Sequence, residues 1–414
     1  MITPMTAVFS RLGGRALGQG NLRSLILAAF FTELGVSMAF PLRLLYAQAH
    51  HATPTELGMF AGVFFLAPVL FQMPLGWLVD RWGRVPVLLF SMSGHTMIGV
   101  AYIFLNSPAE LICLRFVEGM VIAGVQPASA AYIADVTAEE HRAEAYGVLT
   151  AALSGGLLIG PLFGGLVGQQ FGFVSAYALS AAVEAVSVVL VLLSVREPAR
   201  HRTVHAEERA LPWSRFLTPP LLGAYAVTFT TQIIMGIFSA LWTIRLHDLG
   251  GSYTYLGFIY TVFAVPGILL GAIGGRAADR WGIAPTLLRF GILIGLIYIA
   301  YGFVTNLSLI PVVCLVEGIF LAFQAPAQQA LLAAASPSEA RGRAQGIAGL
   351  VGSLGGAGSA FFSLSLYHWN RPAPFVISGT FMAAGAIAAA LGAVWLARHG
   401  AERAWARPSA APAS

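Results

Sequence analysis

The chain has 414 residues, of which 57% are hydrophobic and only 10% charged, with a formal net charge of +5. A soluble domain carries about 25% charged residues, so water is not the main solvent of this chain. It contains no lysine, which excludes a Walker A phosphate loop and Schiff-base chemistry, because both need that amine.

Runs of about 20 mostly apolar residues recur along the chain, each long enough to cross a hydrocarbon core of about 30 Å. They predict an all-α membrane protein with spans at 24–47, 55–78, 86–105, 109–134, 144–168, 174–195, 216–246, 253–276, 285–305, 308–333, 343–367 and 374–397. The first run is too long for a signal-peptide core and no small-residue cleavage site follows it, so it is read as span one. Arginines concentrate in alternate connections: Arg11, Arg15, Arg23, Arg81, Arg84, Arg142, Arg196, Arg200, Arg202, Arg209, Arg215, Arg276, Arg280, Arg341, Arg343, Arg398, Arg403 and Arg407 share one side. The other side holds Arg371, with Arg43 and Arg245 near helix ends. This positive-inside pattern places both termini in the cytoplasm and explains the basic charge without nucleic acid. Cys113 and Cys314 fall inside spans in different halves, and read as small core residues rather than a disulfide or metal pair.

The chain is a tandem repeat. Adding 199 to a residue number aligns GWLVDRWGRVP at 76–86 with GRAADRWGIAP at 275–285, and FVEGMVIAGVQPA at 116–128 with LVEGIFLAFQAPA at 315–327. Over 76–147 against 275–346, 24 of 72 positions are identical. A six-span offset makes the halves parallel, related by an axis along the membrane normal, with a ligand site expected between them near the midplane. The expected organisation is an N-terminal six-helix bundle at 1–195, a polar linker at 196–215, a second bundle at 216–398 and a tail at 399–414.

Three motifs carry chemistry. GWLVDRWGRVPVL at 76–88 resembles the loop motif G-x-L-a-D-r-x-G-r-k of the major facilitator superfamily, and 275–285 is a weaker copy. LICLRFVEGMVIA at 111–123 resembles that family's l-x-x-x-R-x-x-q-G motif, with Glu118 where the family has Gln. GVLTAALSGGLLIGPLFGG at 147–165 is similar to its G-x8-G-x3-GP-x2-GG pattern, which marks antiporters, chiefly drug exporters. The resemblance covers residues 20–398 and implies two pseudo-symmetric six-helix bundles, the major facilitator fold, nearest the drug:proton antiporters. It implies a conformational latch of Gly76, Asp80, Arg81, Gly83, Arg84, Asp135, Asp279 and Arg280, with Val85 departing from the family's basic residue. It also implies an antiporter motif of Gly147, Gly156, Gly160, Pro161, Gly164 and Gly165. Glycines there permit close helix packing and the proline a bend.

The resemblance places spans one, four, seven and ten around the central cavity. Glu33 lies about ten residues into span one, roughly 15 Å deep and near the midplane. Its repeat partner is Gln232, and Glu118 pairs with Glu317 in the same way. Spaced i and i+3, Arg115 and Glu118 share a helix face and can form a protonation-sensitive or a static pair. Proton coupling is therefore expected at Glu33, Arg115, Glu118 and Glu317, because a desolvated carboxylate can bind and release a proton as a cavity opens and closes. Phe30, Phe238, Trp242 and Phe320, with Gln232, Gln324 and Gln328, offer apolar walls with few polar groups, suited to a lipophilic or amphipathic substrate. His95 and Glu184, in spans the family places peripherally, either pair or face a lateral opening.

The reading is an inner-membrane, proton-coupled antiporter acting as a monomer on a small-molecule or lipid substrate, with no cofactor beyond the proton. A lipid flippase or a nutrient symporter on the same scaffold stands beside it. An enzyme is disfavoured, because no metal-ligand cluster or nucleophile elbow occurs.

Overall fold

The computed structural model describes residues 20–138, 141–198, 212–337 and 341–405. Arg11, Arg15, Arg200, Arg202, Arg209 and Arg407, the middle of the 196–215 linker and the end of the tail lie outside the described residues. Among the described residues every regular element is a helix: α1 (Gly20–Met38), α2 (Arg43–Ala49), α3 (Pro54–Trp82), α4 (Arg84–Ala101), α5 (Pro108–Ile122), α6 (Val125–Val136) and α7 (Arg142–Ser194). The second half supplies α8 (Pro219–Ile237), α9 (Thr243–Asp248), α10 (Tyr253–Trp281), α11 (Ile283–Tyr301), α12 (Ile310–Ala335), α13 (Arg341–Trp369) and α14 (Ala373–Trp405).

Among the described residues, nine helices are long and apolar enough to cross a membrane by length and composition. One of these, the apolar stretch Glu144–Ser194, has 51 residues, about 75 Å at 1.5 Å per residue and more than twice a hydrocarbon core. Non-helical angles at Gly172 (φ 82°, ψ 174°) divide it into two crossings. With α4 and the α5–α6 pair, the count is consistent with the expected twelve.

Three spans read as continuous from hydropathy are interrupted. Span one breaks between α1 and α2, where Pro41 lacks an N–H and its ring opposes the carbonyl four residues back. Span four breaks at Ala123–Gly124, four residues before Pro127, for the same reason. Span seven passes through a π-helical turn at Phe238–Trp242 between α8 and α9, a feature frequent at functional sites. The turn between α3 and α4 uses Gly83 at φ 114°, and its repeat partner Gly282 turns α10 into α11 at φ 89°. Both lie in the left-handed region that glycine enters without a Cβ penalty.

Contacts divide the described residues into two compact units. The first holds those up to 198 together with Ala240–Val265, and the second holds 212–239 and those from Pro266 onward. In the first unit α1 lies in a seam along α7, and a core of Leu22, Leu25, Val87, Leu88, Tyr132, Ile133, Leu149 and Val191 ties α1, α4, α6 and α7 together. The Ala240–Val265 segment joins that unit through Thr261, whose hydroxyl donates to the Leu158 carbonyl at 2.7 Å, and through the Tyr253 amide, which donates to Gln169 Oε1 at 2.9 Å.

Candidate functional site: a buried charge cluster

The break in span one creates the first element of the site. The Phe40 amide turns to the Ser37 carbonyl at 3.1 Å, so the Val36 carbonyl loses its helical donor. Arg43, two residues after Pro41, donates to that carbonyl from Nη2 at 3.2 Å. The same nitrogen lies 2.8 Å from Glu118 Oε1. Arg43 is 4% exposed and Glu118 fully buried, so the helix break and the ion pair stabilise one another in a water-poor setting.

Glu118 is the hub. Its Oε1 meets Arg43 and His95 Nε2, the latter at 3.1 Å. Its Oε2 accepts from Arg115 Nη1 at 2.8 Å and from the Tyr102 hydroxyl at 3.0 Å. Four donors on two oxygens is near the capacity of a carboxylate. The Arg115 guanidinium also lies 4.0 Å from the centre of the Phe64 ring and 5.4 Å from that of Phe60, both on α3, a favourable placement for a desolvated cation. The other His95 nitrogen, Nδ1, is 2.6 Å from Glu184 Oε2. The Ser180 hydroxyl donates to the Gly35 carbonyl at 2.7 Å and lies 3.3 Å from Glu184 Oε1. Tyr102 and Tyr177 stack at 4.9 Å beside the cluster, and Tyr46 caps the carbonyls of Tyr102 and Leu105.

Of the expected coupling residues, Arg115 and Glu118 are therefore brought together, and Glu33 stands on α1 half-buried, within the fields of His95, Arg43 and Glu184. Glu317 is buried in the second unit, where the Tyr301 hydroxyl donates to it at 2.8 Å and also contacts Cys314 at 3.1 Å. Tyr301 is the repeat partner of Tyr102, so the tyrosine–glutamate contact recurs in both halves. The positions matching Arg43, His95 and Arg115 are Trp242, Ile294 and Cys314, so the cationic groups of the cluster belong to the first half alone. Sequence reasoning set Arg43 aside as a helix-end charge, and of the two arrangements it offered for His95 and Glu184 the structure shows the pair. The available signal was an Arg two residues after a Pro inside an apolar run.

The expected cavity residues scatter more widely. Phe30 meets Phe31 edge-on at 5.4 Å and packs on the first unit's core. Gln232 is half-buried with its side chain beside Gly352. Phe238 and Trp242 open and close the π-helical turn. Phe320 and Phe323 pack on Phe290, at 5.9 and 4.8 Å. Gln328 is held by α8, accepting from Thr231 at 3.3 Å and donating to Thr228 at 3.1 Å. The Gln324 amide is buried without a hydrogen-bond partner among the described residues, a costly state unless a bound group satisfies it. Cys314 is buried as expected, whereas Cys113 is exposed and is not a core residue.

In the loop motif, Arg84 Nε lies 2.7 Å from Asp135 Oδ2, joining the start of α4 to the end of α6. Glu197, not singled out in the sequence, caps α4 by accepting the Arg84 and Val85 amides at 2.8 and 2.7 Å. A carboxylate there satisfies two orphan amides and meets the positive end of the helix. Asp80, Arg81, Asp279 and Arg280 are exposed at helix ends, and Arg81 lies 5.0 Å from the Trp77 ring. Gly76 makes no close approach. In the glycine-rich motif, Gly156, Gly160 and Gly164 face the α1 backbone from Phe30 to Met38, Gly165 faces Tyr253, and the Pro161 carbonyl lies against Gly257. Gly147 has open space around it.

Residues 25–247 and 224–413 each match the sequence profile of the Major Facilitator Superfamily. Multidrug resistance protein 2 of Bacillus subtilis is 26% identical over 376 residues, 86% of this chain and 91% of that protein. The class B tetracycline resistance protein of Escherichia coli is 26% identical over 339 residues, 77% of this chain and 80% of that protein. Among solved structures, a bacterial homolog of the human lysosomal transporter Spinster superposes with a TM-score of 0.69 at 18% identity, covering 94% of this chain and 98% of that one. The likeness at that identity is one of fold.

Proposed function

The chain belongs to the Major Facilitator Superfamily, a family of membrane transporters, and on that premise we propose that it is a proton-coupled antiporter exporting small lipophilic or amphipathic compounds. The observation that carries the reading is the buried cluster of Arg43, Arg115, Glu118, His95 and Glu184 beside Glu33. A charge at the bilayer centre costs about 2.5–3.5 kcal/mol even on the lenient insertion scale, so such groups are retained for work on ions or protons. Relatives named for multidrug and tetracycline resistance support export as the direction, and the glycine seam along α1 supports antiport.

In this reading the bundles at 1–195 and 216–398 alternately expose a cavity, with both termini cytoplasmic. Glu33 exchanges the proton, Arg43, His95 and Glu184 set its electrostatic surroundings, the Arg115–Glu118 pair anchors Arg43 and His95, and Glu317 is the second half's counterpart carboxyl. Aromatic groups at Phe238, Trp242 and Phe320 offer apolar surface, and Gln232 and Gln324 offer the few polar contacts. The test is proton movement in inverted vesicles on addition of lipophilic cations, sugars or a fluorescent lipid, with wild type beside Glu33→Gln. Proton release by a lipophilic cation that disappears in the variant is the expected result. Lipid translocation with no response to soluble compounds would overturn drug antiport in favour of a flippase.

A further inference from the structure

We infer that the buried cluster stores one exchangeable proton, and that the His95–Glu184 couple, on the third and sixth spans, is where it is held in this conformation. The inference rests on the proton-coupled reading above and adds the store and its capacity.

Two independent counts give the same number. The first concerns hydrogen bonds. His95 faces a carboxylate oxygen from each ring nitrogen, Glu184 at 2.6 Å and Glu118 at 3.1 Å. A neutral imidazole has one N–H and one lone pair, and a lone pair facing a carboxylate oxygen is repelled. Filling both gaps takes one proton more than neutral imidazole supplies. Glu118 does not carry it as an acid, because its two oxygens already accept from Arg43, Arg115 and Tyr102. The extra proton therefore belongs to His95 and Glu184, as an imidazolium or as a neutral imidazole beside a carboxylic acid.

The second count concerns charge. Arg43 on α2 and Arg115 on α5 are fixed cations. Glu33 on α1, Glu118 on α5 and Glu184 on α7 are three carboxyls, and the remaining ionisable neighbours are the neutral phenols of Tyr46, Tyr102, Tyr177 and Tyr260. With neutral His95 and ionised carboxyls the cluster carries one negative charge, and one added proton makes it neutral. Burial disfavours any other total.

The two counts together define an exchange. When the proton passes to the Glu33 carboxylate, the couple is left as a neutral imidazole beside an ionised Glu184, one of the two His95 gaps loses its hydrogen, and that contact opens. Span one senses the opening directly, because a methyl group on Gly35 would overlap Glu184 and Ser180 bridges Glu184 to the Gly35 carbonyl. Gly35 lies two residues from Glu33. The proton's position is thereby linked to the seating of the helix that carries the exchange carboxyl.

The experiment is solid-state NMR of full-length protein labelled with 15N-histidine in lipid bilayers at pH 8, where an ordinary histidine of pKa about 6.5 is neutral. Infrared spectra of the same samples report protonated carboxyls. An imidazolium signal absent from His95→Gln, or a carboxylic-acid band absent from Glu184→Gln, is the expected result. Glu184→Gln keeps the side-chain size and carries both comparisons if His95→Gln fails to fold, since loss of the carboxylate also removes the imidazolium. A wild type with neither signal overturns the inference, even if ethidium-driven proton release is lost in Glu33→Gln. The signal without any ethidium-driven proton movement leaves the store standing and removes the antiport reading.

Discussion

At the scale of single residues, the repeat provides its own control. Glu118 and Glu317 occupy matching positions and each accepts from a matching tyrosine. Only Glu118 faces two buried arginines. Replacing it by Gln removes the carboxylate that the buried Arg43 and Arg115 both contact, a change that costs about 3–5 kcal/mol. Glu317→Gln loses part of one hydrogen bond, about 0.5–1.5 kcal/mol. Thermal unfolding of the two variants in the same detergent should therefore give a large drop for Glu118→Gln and a small one for Glu317→Gln. Equal drops would mean that the arginines find other partners. The pairing of Arg115 with Glu118 was legible in the sequence because i and i+3 on a helix are neighbours by geometry. The contacts that tie Arg43 and the His95–Glu184 pair to Glu118 were not, because they join different helices, with His95 and Glu118 lying 23 positions apart, and the rotation of one buried helix against another leaves no mark on hydropathy.

Among helices, close packing concentrates where α7 meets α1. Gly160 and Gly164 press on Leu34, Ser37 and Met38, and a methyl group on Gly164 would overlap the Met38 carbonyl. Gly164→Ala should cost about 1–3 kcal/mol through overpacking. Gly147→Ala, at the start of the same motif, meets nothing within 4 Å and should be neutral or gain about 0.5–1 kcal/mol from helix propensity. Unfolding midpoints of the pair separate a packing role from a merely compositional one. The glycine pattern was readable, but which glycines bear on a neighbour was not, since period alone does not say which face meets α1. The Glu197 cap on α4 is a further case. It lies more than 100 positions from the amides it accepts, so no local capping signal reveals it. Glu197→Ala should cost about 0.5–2 kcal/mol as other cap removals do, and faster hydrogen exchange at the first turn of α4 would locate the loss there.

For the whole molecule, the all-helical membrane fold was legible in the sequence and the expected span number is consistent with the structure, because hydropathy records each apolar run. It misjudged continuity in spans one, four and seven, where Pro41, Pro127 and the π-helical turn interrupt runs that hydropathy reads as unbroken. Those interruptions matter to function, since the one in span one exposes the carbonyl that positions Arg43. Orientation rests on arginine placement, which sets topology because arginine-rich connections resist translocation. In a background with Cys113 and Cys314 replaced by Ser, Asn106→Cys and Trp369→Cys, both at exposed positions in the arginine-poor connections, should react with a membrane-impermeant maleimide in intact cells. Arg196→Cys, exposed on the arginine-rich side, should react only after permeabilisation. The reverse pattern would overturn the cytoplasmic placement of both termini while leaving the direction of export untouched, because a proton-coupled antiporter is driven by the proton gradient and not by which way round its chain lies in the membrane.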